Sequence, residues 1–290
     1  MFLIEALDQV VMERDLAEIT EGQYRKSISE YSTHLGRMAE LSDLSYHSIN
    51  TWLKSMKGTL EPLTIAGRKK GITVVWNHLA ELGKIEHYHS RRLFSPKTAT
   101  KPVVSWTIDD FKILLDAATR VNGEYHDIPN SSMLLAWLWV GLDTAFRPSD
   151  MRAIRWDQVC FASRSISLSQ HKTRYPHRAC ISEESVNALH AIALPKREVV
   201  FPITKDQIRY PLKKLYAEAA KLGFVKTPGR SIGTLRRMHA TIQYEDYGAA
   251  VAAESLGHVG GTRTVYRSYI DHRSRRQGRL PRHEKIDEAS

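Results

Sequence analysis

Cysteine is scarce in this sequence: its 290 residues include two, Cys160 and Cys180. Two thiols cannot form a disulfide framework, and they favour a reducing, cytosolic compartment. No Cys/His cluster has zinc spacing, so we expect no metal. The sequence also lacks the ~18 consecutive apolar residues that a membrane span needs. The longest such run, residues 131–142, is typical of a buried helix, and the early acidic residues of the N-terminus are not those of a signal peptide.

Acidic residues are too few to balance the basic ones. Lysine and arginine total 42 against 32 aspartates and glutamates, which gives a formal net charge of +10. Residues 1–95 contain equal numbers of acidic and basic side chains, so the whole excess lies in residues 96–290. Concentrated positive charge favours a polyanionic partner, although a generic basic surface would have the same composition.

The order of patterns along the chain predicts two parts. Residues 96–105 contain two prolines and two lysines among small polar residues, which predicts a linker. Before it, Thr20 and Gln23 have the spacing of a capping box that would start a helix, and apolar periodicity predicts further helices over 45–56 and 64–82, with Gly83 ending the last.

The second part combines helices with one short sheet. Helices are predicted from Thr107 and over 133–143, the latter buried, and again from Glu184, Asp206 and Thr234. Alternating residues over 165–169 and 178–182 predict a β-hairpin whose loop, 171–177, is basic. The fold class predicted is mainly α, with an α+β second domain.

Five segments of the second part carry residues suited to phosphate chemistry. They are Arg147 followed by Asp150, Lys172 in the hairpin loop, Arg236 in Leu235-Arg236-Arg237, His258 in Leu256-Gly257-His258, and a tyrosine near the end, Tyr266 or Tyr269. Each segment alone is a weak signal, but all five occur in one order at ordinary separations.

In this order the segments resemble the tyrosine recombinases, the phage-integrase family, over nearly the whole chain. The resemblance implies a SAM-like helical core-binding domain over 1–95, a linker over 96–105, and over 106–290 a catalytic domain with a small β-sheet and a C-terminal tail. It also implies a site-specific recombinase or integrase of a mobile genetic element, which cuts and rejoins double-stranded DNA through a 3′-phosphotyrosyl intermediate. Such a protein would be cytoplasmic and nucleoid-associated, would need no cofactor, and would assemble as a tetramer on paired DNA sites.

The resemblance also implies a role for each residue. Arg147 and Arg236 would clamp the non-bridging phosphate oxygens, since planar guanidinia bind them bidentately. Lys172 would protonate the leaving oxygen, and His258 would hydrogen-bond the phosphate or tune proton transfer. Tyr269 is the preferred nucleophile. We expect Asp150 to orient Arg147 or to cap its helix.

Two departures from the family pattern leave alternatives open. The third box usually reads His-x-x-Arg, but Gly233 occupies the His position here. The enzyme could work more slowly, another group such as His239 could substitute, or the protein could bind DNA without cutting it. For His239 itself, a core-facing position is the favoured interpretation. The tyrosine usually follows the histidine by nine or ten residues, whereas Tyr266 follows His258 by eight and Tyr269 by eleven. A helix-turn-helix regulator unrelated to integrases is a third possibility.

Overall fold

The fold was analysed in a computed structural model that describes residues 1–98, 102–194, 196–225, 231–257 and 261–274. The chain divides into two compact units, Met1–Thr100 and Lys101–Ser290. The division falls inside the segment 96–105, and the functions of the two units remain predictions. Among the described residues, no helix has both the length and the apolar character needed to cross a membrane.

The N-terminal unit is built from helices. They are α1 (Leu3–Glu13), α2 (Glu18–Leu35), α3 (Tyr46–Ser55) and α4 (Pro62–Glu81). The apolar stripe of α4 forms the centre of the core, with Ile65, Ile72 and Leu79 at most 1% exposed. Gly71 lets α4 approach α2 closely, because a Cβ there would collide with the Ser27 side chain.

Helix ends in this unit agree with the sequence at α3 and α4 but not at α2. Ser45 caps α3 by accepting the Ser48 N–H, and Gly83 follows α4 with φ +68°. The predicted capping box at Thr20 is wrong, because α2 begins one turn earlier. The Ala17 carbonyl already accepts the Thr20 N–H at 2.7 Å, so Thr20 lies within the first turn.

The C-terminal unit combines helices with two small antiparallel sheets, which confirms the predicted fold class. Its helices are α5 (Ile108–Thr119), α6 (Asn130–Thr144), α7 (Pro148–Ala153), α8 (Glu183–His190), α9 (Arg209–Lys221), α10 (Thr234–Tyr247), α11 (Ala249–Ser255) and α12 (Thr262–Ser268). Its strands are β1 (Glu124–Tyr125), β2 (Ile128–Pro129), β3 (Val159–Cys160), β4 (Ser165–Ser169) and β5 (Pro176–Cys180).

The predicted hairpin is present, but its second strand is displaced by two residues. β5 covers Pro176–Cys180 rather than 178–182, and Pro176 pairs with Ser169 at the end of the ladder. Ile181 leaves the ladder to donate to the Arg164 carbonyl, and Ser182 caps α8. The turn that carries Lys172 therefore lies directly between β4 and β5.

Helix α6 forms the centre of this unit and leads into the candidate site. It is buried nearly all round, and Trp137 packs edge-on against Phe201 with ring centroids 5.0 Å apart. The helix ends at Ala145, which is fully buried and has φ +51°. Because this left-handed residue turns the chain, α7 can begin three residues later, at Pro148.

Candidate active site

Arg147 lies at the start of α7, where its backbone forms the N-cap. Its guanidinium donates from Nη1 to Gln170 Oε1 at 2.7 Å. The same Nη1 is 3.7 Å from Asp150 Oδ2, and the Asp150 side chain is completely buried. Asp150 Oδ1 accepts the His171 N–H at 2.9 Å. Asp150 therefore joins the start of α7 to the loop that carries Lys172.

Arg236 lies on α10 and is almost fully buried, with 4% of its surface exposed. Nη1 donates to the Ala145 carbonyl at 2.6 Å and Nη2 to the Leu256 carbonyl at 2.9 Å. Burial lowers the pKa of Arg236, while Tyr269 raises it, first through electrostatic attraction and then as a hydrogen-bond partner. A guanidinium stays protonated in proteins, so the site keeps this positive charge.

The two arginines are joined through one amide and one carbonyl. Gln170 accepts from Arg147 through Oε1 and donates from Nε2 to the Leu256 carbonyl at 3.2 Å. That carbonyl is the one that accepts from Arg236. Arg147 and Arg236, which we call the arginine pair, are therefore linked by one set of hydrogen bonds.

Tyr269 and Tyr266 have different surroundings. The Tyr269 ring centroid is 5.1 Å from the guanidinium carbon of Arg236. Tyr266 packs edge-on against Tyr244, and the two hydroxyl oxygens are 2.9 Å apart. The structure thus places Tyr269 against Arg236 and Tyr266 against the last part of α10.

Asp271 holds the chain just after Tyr269. Its N–H donates to Thr241 Oγ1 at 3.1 Å, and its Oδ2 accepts the Ser105 N–H at 2.7 Å. Arg273 donates to both carboxylate oxygens. Although burial opposes ionisation, these bonds lower the pKa of Asp271 to about 2. Asp271 is thus ionised at neutral pH and fixes the segment after Tyr269.

The other predicted residues are placed less directly. Lys172 is exposed in the turn and takes no part in the bonds described above. His258 lies outside the described residues. Its neighbour Gly257 has φ +62°, and a Cβ there would lie 2.6 Å from Gln170 Nε2. Gly233 precedes α10, and a Cβ there would make ordinary van der Waals contacts, 3.7 Å from Ser231 Oγ and 3.9 Å from Pro148 Cγ.

Two histidines near Arg236 are partly buried. His239 Nδ1 donates to the Leu142 carbonyl at 2.7 Å, and burial lowers its pKa. This contact fits the core role rather than the substitute role considered for His239. Sequence reasoning missed His177, on β5, whose pKa is lowered by burial and then by Arg236. Both rings are therefore neutral at pH 7.

A cleft of about 790 Å³ lies beside these histidines, and Asp143, Glu254 and Thr262 are among its lining residues. Arg178 lines the cleft together with the two carboxylates, and neither member of the arginine pair does. The described residues contain no group of three or more His, Cys, Asp or Glu side chains able to hold a metal ion.

Comparison with solved structures shows which proteins share this fold. A lambda integrase dimer bound to a COC′ core site matches with a TM-score of 0.72 and 15% identity, over 97% of this chain and 81% of that one. Tn1549 transposon integrase in complex with a circular intermediate DNA matches with a TM-score of 0.75 and 13% identity, over 100% and 98%. A lambda integrase tetramer bound to a Holliday junction matches with a TM-score of 0.72 and 17% identity, over 96% of this chain and 79% of that one.

No protein-family model and no curated protein matches the chain. At these identities the similarity establishes the tyrosine recombinase fold.

Proposed function

We propose that this chain, which has the tyrosine recombinase fold, is a site-specific DNA recombinase that cuts and rejoins strands through a 3′-phosphotyrosyl intermediate. One observation carries the proposal: Arg147 and Arg236 share a hydrogen-bonded frame, and Tyr269 lies against Arg236. Two guanidinia and a phenol side by side are the groups that phosphoryl transfer from DNA to protein requires.

The reaction balances with the groups of this site. The Tyr269 oxygen bonds to phosphorus while the bond from phosphorus to the 5′-oxygen breaks. The tyrosine proton leaves to water, and Lys172 protonates the 5′-oxygen. Arg147 and Arg236 neutralise the charge that develops on the non-bridging oxygens. Since the phosphotyrosyl ester retains the bond energy, attack by a 5′-hydroxyl reverses the step without a cofactor.

Tyr269 is the better nucleophile on two grounds. Its ring lies against Arg236, whereas the Tyr266 hydroxyl lies 2.9 Å from that of Tyr244. In addition, Asp271 fixes the chain two residues beyond Tyr269. A nucleophile held beside the phosphate clamp loses little entropy on reaching the transition state.

The partner we propose is double-stranded DNA, with four copies assembled on paired sites. Support comes from the net charge of +10 and from fold neighbours that were solved on DNA, one of them as a tetramer on a Holliday junction. His258 would contact the phosphate from the segment next to Gly257. A DNA-associated, cytoplasmic location in the host of a mobile element follows from this function.

A second function, DNA binding without cleavage, is favoured by Gly233. The family pattern has an imidazole at this position, and glycine cannot transfer a proton. General acid–base assistance is worth about 10²–10⁴ in rate, so its loss could leave a protein that only binds. The arginine pair would then serve as phosphate contacts.

A covalent-complex assay separates the two functions. The Tyr269→Phe variant is first used to select binding sites from a pool of random DNA duplexes. The selected site is then nicked beside each possible cleavage position, so that cleavage releases a short fragment and traps the covalent complex. We expect wild type to give a protein–DNA adduct on a denaturing gel and Tyr269→Phe to give none. Tight binding by wild type without adduct on any nicked site would contradict the cleavage function and support the second one.

A further inference from the structure

Gln170 is an amide that is fully buried beside the arginine pair, with 0% of its surface exposed. Its Oε1 accepts from Arg147 Nη1 at 2.7 Å and from Thr173 Oγ1 at 3.1 Å. Its Nε2 donates to the Leu256 carbonyl at 3.2 Å. A buried polar side chain is costly unless its bonds are made, and here both ends of the amide are used.

We propose that Gln170 is the positioning residue of this site: it holds Arg147 in register with Arg236 and holds the turn of Lys172 against both. The proposal rests on the recombinase function for its effect on catalysis. Its structural part, the control of Arg147 orientation, does not depend on that function.

Only an amide of this length has the required chemistry. Arg147 offers a donor, so its partner must be an acceptor, whereas the Leu256 carbonyl is an acceptor that takes a second donor beside Arg236. Glutamate would place a negative charge against the Leu256 carbonyl, and methionine would leave both partners without their bond. Asparagine keeps the amide but is one methylene too short to span the two groups.

Gln170 also counteracts the pull of a buried acid. Asp150 Oδ2 lies 3.7 Å from Arg147 Nη1, beyond hydrogen-bond distance, in a side chain with no exposed surface. Without the bond to Gln170 Oε1, the guanidinium would move onto this carboxylate, because buried opposite charges attract strongly. The planar face offered to a phosphate would then rotate away from Arg236.

The backbone of Gln170 adds the third connection. Its N–H donates to the Tyr175 carbonyl at 2.9 Å, and its carbonyl accepts the Arg174 N–H at 2.7 Å. These bonds close the turn that contains Lys172. One residue therefore sets the distance between the acid that protonates the leaving oxygen and the arginines that hold the phosphate.

The test compares Gln170→Met with a matched variant, Asn130→Leu. Asn130, the first residue of α6, is also a buried amide of this unit and is 4% exposed. Its Nδ2 donates to the Asn122 carbonyl. We measure single-turnover cleavage and DNA affinity. Because a displacement of about 1 Å can cost ~10²-fold in rate, Gln170→Met should cleave about 10–100-fold more slowly with Kd within about threefold. Asn130→Leu should cleave within about threefold of wild type.

A double variant separates positioning from general damage. If Gln170 acts through Arg147, adding Gln170→Met to Arg147→Lys should slow cleavage by less than about threefold more, since coupled residues are non-additive. A full second loss would overturn the proposal, as would wild-type cleavage by Gln170→Met. If Gln170→Met does not fold, Gln170→Asn keeps the buried amide and should show the same loss; cleavage at the wild-type rate would again overturn the proposal.

An NMR measurement makes the outcome independent of cleavage. With 15N-arginine labelling, and Arg147→Lys to assign the signal, Arg147 should show separate Nη resonances in wild type and one averaged resonance in Gln170→Met. Averaged resonances in both proteins would overturn the positioning role. Absence of any DNA adduct from wild type, with separate Arg147 resonances, would instead overturn the recombinase function and leave the positioning role supported.

Discussion

Replacing Arg236 by lysine should weaken both the fold and the proposed reaction. The guanidinium is 4% exposed and donates to two carbonyls, those of Ala145 and Leu256, at 2.6 and 2.9 Å. A lysine ammonium ends near the position of the guanidinium carbon, so it keeps the charge but cannot reach both oxygens. One buried carbonyl then loses its charged partner.

The expected size follows from those two bonds. A hydrogen bond to a charged group contributes about 1.5–3 kcal/mol, and a buried group left unpaired costs about 1–3 kcal/mol. We therefore expect Arg236→Lys to destabilise the C-terminal unit by about 2–3 kcal/mol. For a unit of this size that lowers Tm by about 4–12 °C. Loss of one electrostatic stabiliser of the transition state should slow adduct formation by about 10²–10³-fold.

The measurements are thermal unfolding followed by circular dichroism and single-turnover adduct formation on nicked DNA below the lowered Tm. Arg120→Lys is the matched control, because Arg120 is exposed and pairs with Asp116 at the protein surface. The control should stay within about 0.5 kcal/mol of wild type. An Arg236→Lys protein with unchanged Tm and unchanged adduct rate would refute both the hydrogen-bond argument and the phosphate-clamp role.

Three further predictions use other residues of the site. Tyr269→Phe should bind DNA normally and form no adduct on a denaturing gel, whereas Tyr266→Phe should retain the adduct; the reverse pattern would move the nucleophile to Tyr266. Gly233→His should raise the adduct rate above that of wild type, because a Cβ at this position makes no contact shorter than 3.7 Å and an imidazole restores proton transfer. An unchanged rate in kinetic assays would show that this position does not limit the reaction. Asp271 has its pKa lowered from 3.8 to about 2, so its contribution to stability is present above pH ~4 and is lost as the pH falls towards 2. Urea unfolding from pH 5 to 2 should show a steeper loss of stability for wild type than for Asp271→Asn, and parallel curves would contradict this assignment.

Much of the fold could be predicted from local sequence chemistry. Thr107 caps a helix as predicted, and Gly83 follows the end of α4, because these signals act within one helical turn. The polar–apolar alternation predicted the hairpin, although its second strand begins at Pro176, two residues earlier than predicted. The predicted start of α2 was wrong, because the spacing of Thr20 and Gln23 does not show whether Thr20 precedes the helix or lies in a first turn that follows Ala17.

The candidate site was predicted in part. The order of the segments was enough to nominate Arg147, Arg236 and Tyr269. In the structure Gln170 and the Leu256 carbonyl link the two arginines, and Tyr269 lies against Arg236; their catalytic roles stay predictions. Spacing left Tyr266 and Tyr269 equally possible, since each departs from the usual separation by one residue. The end of α12 at Ser268 separates their surroundings: Tyr266 lies within the helix beside Tyr244, and Tyr269 follows it and reaches Arg236.

Gln170 could not be recognised from the sequence, where it is one polar residue between a strand and a turn. Its partners, Arg147 and the Leu256 carbonyl, are 23 and 86 residues away from it in the sequence. Likewise, Arg236 is 91 residues away from Ala145, whose carbonyl accepts its hydrogen bond. The sequence by itself determined which residue types are present and the helices and strands that carry them, because those choices depend on near neighbours. Only the tertiary structure decided which donors meet which acceptors, because hydrogen bonds over such separations exist only after the chain has packed.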